Sequence, residues 1–214
     1  MSSFLGTSVT KKVIMALAGL FLITFLVVHL GINLLLLCDD PTPYSIAAHF
    51  MASNLVIKVF EIVLMGGFLI HILWGVVLQI QNWLARPIRY KVTANTQTSF
   101  FSKYMIYTGV IILIFLIIHF VNFYFIKLGL IEGDHENFYG MAYELFKIPG
   151  YLIFYLASFV LLAFHLHHAF QSAFQTLGLN HEKYTPVIKI LGLIYSIIVP
   201  AGFAIIPIII YFFK

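Results

Sequence analysis

Among the nine histidines of this 214-residue chain, several stand deep inside apolar runs. His29 lies in FLVVHLGINLLLL (25–37), His71 in FLIHI (68–72), His119 in FLIIHF (115–120), and His165, His167 and His168 in LLAFHLHH (161–168). Burying a polar group without a partner costs roughly 2 to 7 kcal/mol, so each position needs a chemical reason. An imidazole in an apolar segment serves as a hydrogen bonder between helices, as a proton relay, or as an axial ligand to a haem. For one such histidine the structural role is the ordinary reading. Four consecutive segments with one each favour a shared task. A haem held by two imidazoles takes ligands from facing helices at matching depth, so four ligands hold two haems, and the core of a helix bundle is where such cofactors sit.

The elements that must position these residues are dictated by the solvent. Hydrophobic residues make up 62% of the chain and charged residues only 9%, against about 25% charged in an ordinary soluble domain. A membrane is therefore the expected surrounding. A helix needs about 20 apolar residues to cross its hydrocarbon core. The sequence offers five such stretches, at 13–37, 55–83, 104–126, 150–177 and 187–213. The expected fold is all-α: a five-transmembrane-helix bundle, one membrane domain over 1–214, enclosing two b haems.

The first stretch comes after Lys11 and Lys12 but is about 25 residues long, beyond the 7 to 15 of a signal-peptide core, and is expected to be retained. Cys38 is the sole cysteine, and no C-x-x-C-H motif is present for covalent haem attachment. Gly178 is placed to stop the fourth helix, Thr185 and Pro186 to cap and start the fifth, and Pro87 to close the second. Pro200, Gly202 and Pro207 are expected to bend the fifth helix, which has no histidine and is assigned to packing.

A net charge of +4 raises the question of nucleic acid, but the distribution of the basic residues answers it. With the N-terminus cytoplasmic, Lys11, Lys12, Arg86, Arg89, Lys91, Lys103, Lys183 and Lys189 fall inside, and Lys58, Lys127, Lys147 and Lys214 outside. Eight against four is the asymmetry of a membrane protein in this orientation, so no nucleic-acid partner is expected.

Depth counted from the flanking charges pairs the histidines. His29 lies 17 residues after Lys12 and His119 16 after Lys103, both past the middle toward the outside; His71 precedes Arg86 by 15 and His165 precedes Gly178 by 13, somewhat nearer the inside. The expected pairs are His29 with His119 and His71 with His165. Gly75 and Ala169, one turn beyond His71 and His165, leave room for a macrocycle. Asn33 and Asn122 share faces with His29 and His119 as possible partners of the ring nitrogens. In the fourth segment His167 points away from His165, whereas His168 shares its side and is the alternative ligand. His135 and His181 fall in loops and receive no role.

The segments SVTKKVIMALAGLFLITFLVVHLGINL, FLIHILWGVVLQIQNWLARPIRY, SKYMIYTGVIILIFLIIHF and FHLHHAFQSAFQTLG together resemble the single-chain, five-helix, dihaem cytochrome b membrane anchor of succinate dehydrogenases and fumarate reductases. The resemblance covers nearly the whole chain and rests on the four histidine contexts and the topology. It implies that His29 and His119 bind an outer haem b, and His71 and His165 an inner one. The family's fourth-helix motif places a small residue four positions after the ligand and a glycine thirteen after. That register selects His165, with Ala169 standing where glycine is more usual. The implied partners are a flavoprotein and an iron-sulfur subunit on the cytoplasmic face of a bacterial inner membrane, with lipid and quinone, menaquinone in this family type. The chain would pass electrons between the iron-sulfur subunit and quinone, and it contains no dehydrogenase active site of its own.

A quinone needs an apolar cleft with a few polar groups. Tyr44, His49, Asn54, Lys58 and Glu61 are the candidates near the outer haem. Glu61 is suited to carry protons, although Lys58, three residues away, is a ready ion-pair partner. In the inner loop Arg86, Arg89 and Lys91 are candidates for docking the soluble subunits or for binding haem propionates, and equally for plain positive-inside topology. Two rival readings remain: a dihaem anchor for a hydrogenase or formate dehydrogenase, told apart by its co-purifying subunits, and a histidine-relay proton or metal transporter, which would be colourless.

Overall fold

The computed structural model describes residues 7–84, 100–134 and 136–214. Its elements are α1 (Ser8–Leu34), running on into a 3₁₀ turn (Leu35–Leu37), α2 (Thr42–Ser53), α3 (Leu55–Leu84), α4 (Phe100–His119), a π-helical turn (Phe120–Tyr124), α5 (Phe125–Lys127), α6 (Phe138–Phe146), α7 (Pro149–Thr176) and α8 (Thr185–Phe213). No strand occurs among the described residues. Among the described residues, five helical spans are long and apolar enough to cross a membrane: Val9–Leu37, Leu55–Leu84, Tyr104–Lys127, Pro149–Thr176 and Thr185–Phe213. The protein is an all-helical polypeptide of integral-membrane character. The loop after Leu84, with Pro87, Arg86, Arg89 and Lys91, lies outside the described residues.

Local chemistry ends the helices where the chain must turn. The Thr7 hydroxyl caps α1 by accepting from Thr10 N–H at 3.2 Å. Beyond α7, Gly178 takes the left-handed conformation at φ +75° while Gly178 N–H donates to Gln175 C=O and Leu179 N–H to Phe174 C=O. That bond pair is a Schellman cap, and only glycine adopts its geometry without strain. Gly129 closes the helix that ends at Lys127 in the same way, at φ +70°. At the start of α8 the expected cap is corrected. Thr185 already belongs to the helix, and its hydroxyl turns back to accept from His181 N–H at 3.0 Å and donate to Asn180 Oδ1 at 2.8 Å.

Two short helices, α2 and α6, were not anticipated. They lie in the first and third connections, hence at one end of the bundle, and pack against each other. They close the end of α1, whose last carbonyls have no partner within the helix. The Tyr143 hydroxyl donates to Leu36 C=O at 2.9 Å, and the Lys214 ammonium donates to Leu37 C=O at 2.7 Å and to Asp39 Oδ1 at 3.0 Å.

Packing arranges α1, α3, α4 and α7 as a ring in which α1 abuts α3 and α7, α4 abuts α7, and α3 touches α4 only sparsely. The last helix, α8, lies against α1 and α7 outside this ring. Lipid offers little hydrophobic drive for helices to associate, so close approach through small residues matters more. Helix α8 carries Gly192, Ser196, Val199, Pro200, Phe203, Ile206, Pro207 and Ile210 on its buried side, and it continues through both prolines. A Cβ at Gly192 would stand 2.8 Å from Phe170 Cδ1 and 3.4 Å from its Cβ. Gly192→Ala is therefore expected to overpack the α7–α8 interface and cost about 1–3 kcal/mol, read as earlier thermal aggregation in detergent. Unchanged thermal behaviour would show that Phe170 moves aside freely.

Candidate functional site: two histidine pairs on the bundle diagonals

The ring order α1, α3, α4, α7 puts α1 opposite α4 and α3 opposite α7. Both diagonals carry facing histidines. His29 of α1 and His119 of α4 have ring centroids 5.9 Å apart with planes at 85°; His71 of α3 and His165 of α7 are 6.4 Å apart at 73°. These are the pairs obtained by counting depth. In the fourth segment, the ring opposite His71 is that of His165. The levels are further apart than the charge count implied. On α1, Gly19 lies against His71, and His29 comes ten residues later, a rise of about 15 Å.

Each ring has a polar neighbour, and all four contacts are long. His71 Nδ1 is 3.4 Å from the Met15 carbonyl, His165 Nδ1 3.4 Å from the Thr108 hydroxyl, and His119 Nδ1 3.4 Å from the Tyr155 hydroxyl. At His29 the Asn33 amide donates to the His29 carbonyl at 2.8 Å, and its nitrogen lies 3.4 Å from Nδ1 and 3.5 Å from Nε2. Asn122, expected beside His119, reaches it only through Tyr155, donating to that hydroxyl at 3.3 Å. Asn122 lies within the π turn that directly follows His119, closed by Phe125 N–H donating to Phe120 C=O. One extra residue in the turn rotates the later residues of the span by about 100° from a straight α-helix.

Aromatic rings wall the His29–His119 pair. Phe25 stacks on His29 at 5.1 Å and Phe115 on His119 at 5.7 Å, while Phe203 and Phe123 complete the wall at 5.7 and 5.3 Å. Tyr155, only 2% exposed, and Phe203 were not singled out from sequence, because an aromatic in an apolar helix reads simply as core. Phe203 also gives the histidine-free α8 a contact with the site.

The donor set fits the cofactor expected from the sequence. Two imidazoles binding one metal in line, each through a bond of about 2 Å, set their ring centroids about 6 Å apart. Both pairs meet that spacing. Three of the four Nδ1 atoms face a carbonyl or hydroxyl oxygen, the type of partner that orients a histidine ligated through its other nitrogen.

The quinone candidates are not gathered into one cleft. Tyr44 is buried against Leu36 and Tyr139, and burial pushes its phenol up to about 12, so it remains a donor. His49 lines a shallow groove on α2 with Ser45, Phe50 and Ser53. Asn54 caps α3, its Oδ1 accepting from Val56 N–H at 2.9 Å, and Lys58 is exposed. The pairing of Glu61 with Lys58 is corrected: Glu61 Oε2 accepts from Lys127 Nζ at 2.6 Å, with both side chains partly buried. The end of the third span crosses near Glu61 and supplies a lysine 66 residues away in sequence. Comparison with family models, with curated proteins and with solved structures gives no match to this chain.

Proposed function

We propose that this chain is the dihaem cytochrome b membrane anchor of a succinate:quinone oxidoreductase, carrying electrons between an iron-sulfur subunit and membrane quinone. The observation that carries this reading is the pair of facing histidines on each diagonal, at two depths of a five-span bundle. The two imidazoles of each pair would hold one haem between them, and the resemblance of the four histidine segments supplies the biological setting.

In this reading His29 and His119 hold the outer haem b, and His71 and His165 the inner one. Haem b, when bound, takes up and releases one electron at a time. The chain's residues do the rest. With Nδ1 protonated, Met15 C=O and the Thr108 and Tyr155 hydroxyls, each 3.4 Å away, would accept from it and leave Nε2 to hold the haem iron. The aromatic wall keeps water from the outer pair. At the end taken as outer we assign the Glu61 carboxylate, ion-paired with Lys127, to exchange a proton with quinone. The N-terminus and the 84–103 loop face the cytoplasm, where the flavoprotein and iron-sulfur subunits dock.

Purification of the tagged chain from its native membrane tests the partner assignment. A flavoprotein and an iron-sulfur protein with succinate or fumarate activity are expected, whereas hydrogenase or formate dehydrogenase subunits would assign another anchor. Orientation has its own test. In a Cys38→Ser background, Arg89→Cys is expected to resist an impermeant maleimide added to intact cells, and labelling would reverse the topology.

Tyr155→Phe isolates one ring contact. Losing the acceptor on His119 Nδ1–H makes that ligand less electron-rich, so the outer haem's potential should rise. A weak hydrogen bond of about 1 kcal/mol corresponds to roughly 40 mV in a one-electron couple. A potentiometric titration showing a fall, or a shift in the inner haem alone, contradicts this arrangement.

A further inference from the structure

The helices that bring His29 and His119 to the outer level each carry a glycine ten residues earlier, Gly19 on α1 and Gly109 on α4. Both glycines lie against a histidine of the other pair. A Cβ at Gly19 would stand 3.3 Å from His71 Cε1 and 3.5 Å from its Nδ1; a Cβ at Gly109 would stand 3.6 Å from His165 Cε1 and 4.0 Å from its Nδ1. A polar contact accompanies each. The Met15 carbonyl near His71 Nδ1 is one turn before Gly19, and Thr108, near His165 Nδ1, immediately precedes Gly109.

From this repeated Gly-x₉-His arrangement we infer that Gly19 and Gly109 are positioning residues for the inner cofactor, seating the edges of the His71 and His165 rings against the backbones of α1 and α4. The inference rests on the dihaem reading. Each of these two helices then serves both levels: it ligates the outer haem and seats the inner haem's ligand. Without a Cβ at position 19, His71 Nδ1 can approach a main-chain carbonyl of α1, which fixes the ring's rotation and leaves Nε2 toward His165. The two seats differ in tightness. At 3.3 Å an added methyl group forces the His71 ring to give by a few tenths of an ångström, whereas 3.6 Å at Gly109 is ordinary contact. Gly31 and Gly66 have nothing within 4 Å of an added Cβ and serve as internal controls.

The test is potentiometric titration with low-temperature electron paramagnetic resonance of the purified complex, the inner signal being the one lost in His71→Ala. Gly19→Ala is expected to shift the potential and g-values of the inner haem and leave the outer haem unchanged. Gly31→Ala and Gly66→Ala are expected to match wild type, and Gly109→Ala to shift the inner signal less than Gly19→Ala. Gly109→Val, too large for its seat, is expected to reduce the haem content from two per chain to one. An unshifted inner signal in Gly19→Ala, or a shift of the outer haem instead, overturns the inference while leaving the dihaem reading intact. Should Gly19→Ala fail to accumulate, the contrast between Gly109→Ala and Gly109→Val decides: two normal haems in both variants reject the seats. Absence of haem from the wild-type complex would remove the dihaem reading itself.

Discussion

Replacing His165 with alanine is expected to remove one haem, the inner one, while the haem held by His29 and His119 persists. The His165 ring faces His71 across the α3–α7 diagonal at 6.4 Å. His168 is the serious competitor because, at 100° per residue, it shares a side of α7 with His165. It lies one turn nearer the C-terminal end of α7, about 4.5 Å along the axis, and is half-buried. His168→Ala should therefore keep both haems, with at most a moved potential. Pyridine haemochrome assay per mole of chain reads both variants. Loss of a haem in His168→Ala with retention of both in His165→Ala would show that the register of α7 is wrong.

The second large effect is expected at Glu61. Glu61→Gln removes the carboxylate proposed to carry protons and is expected to lower quinone-coupled turnover by about a hundredfold, a typical contribution of one acid–base group. Succinate oxidation with a soluble artificial acceptor should stay near wild type, because electrons then leave before the membrane site. Lys127→Met should act in the same direction, since it leaves the partly buried carboxylate without the ammonium 2.6 Å away. Equal loss of both activities would indicate failed assembly, and unchanged quinone turnover would remove Glu61 from the site.

What could be read in advance was whatever lipid forces on a sequence. A span must be about 20 apolar residues long, so the five spans were visible to within a few residues of their ends. Imidazoles within those spans could be ranked by depth, and the ranking matched His29 to His119 and His71 to His165. Interactions set by tertiary packing left no such trace. The π turn at Phe120–Tyr124 has an ordinary apolar sequence, and Asn122 within it donates to Tyr155 rather than to His119. The partner of Glu61 is 66 residues away, beyond any local pairing rule. The short helices α2 and α6 are too brief to stand out from loop sequence. Gly19 and Gly109 resemble any small residue in a membrane helix until the opposing rings are seen.

A reduced-minus-oxidised visible spectrum of the purified native complex, with haem and chain quantified on the same sample, bears most directly on the proposed dihaem function. Two low-spin b haems per chain are expected, titrating at separate potentials, with one fraction lost in His29→Ala or His119→Ala and the other in His71→Ala or His165→Ala. A colourless complex, or a single haem that survives loss of either pair, would contradict it.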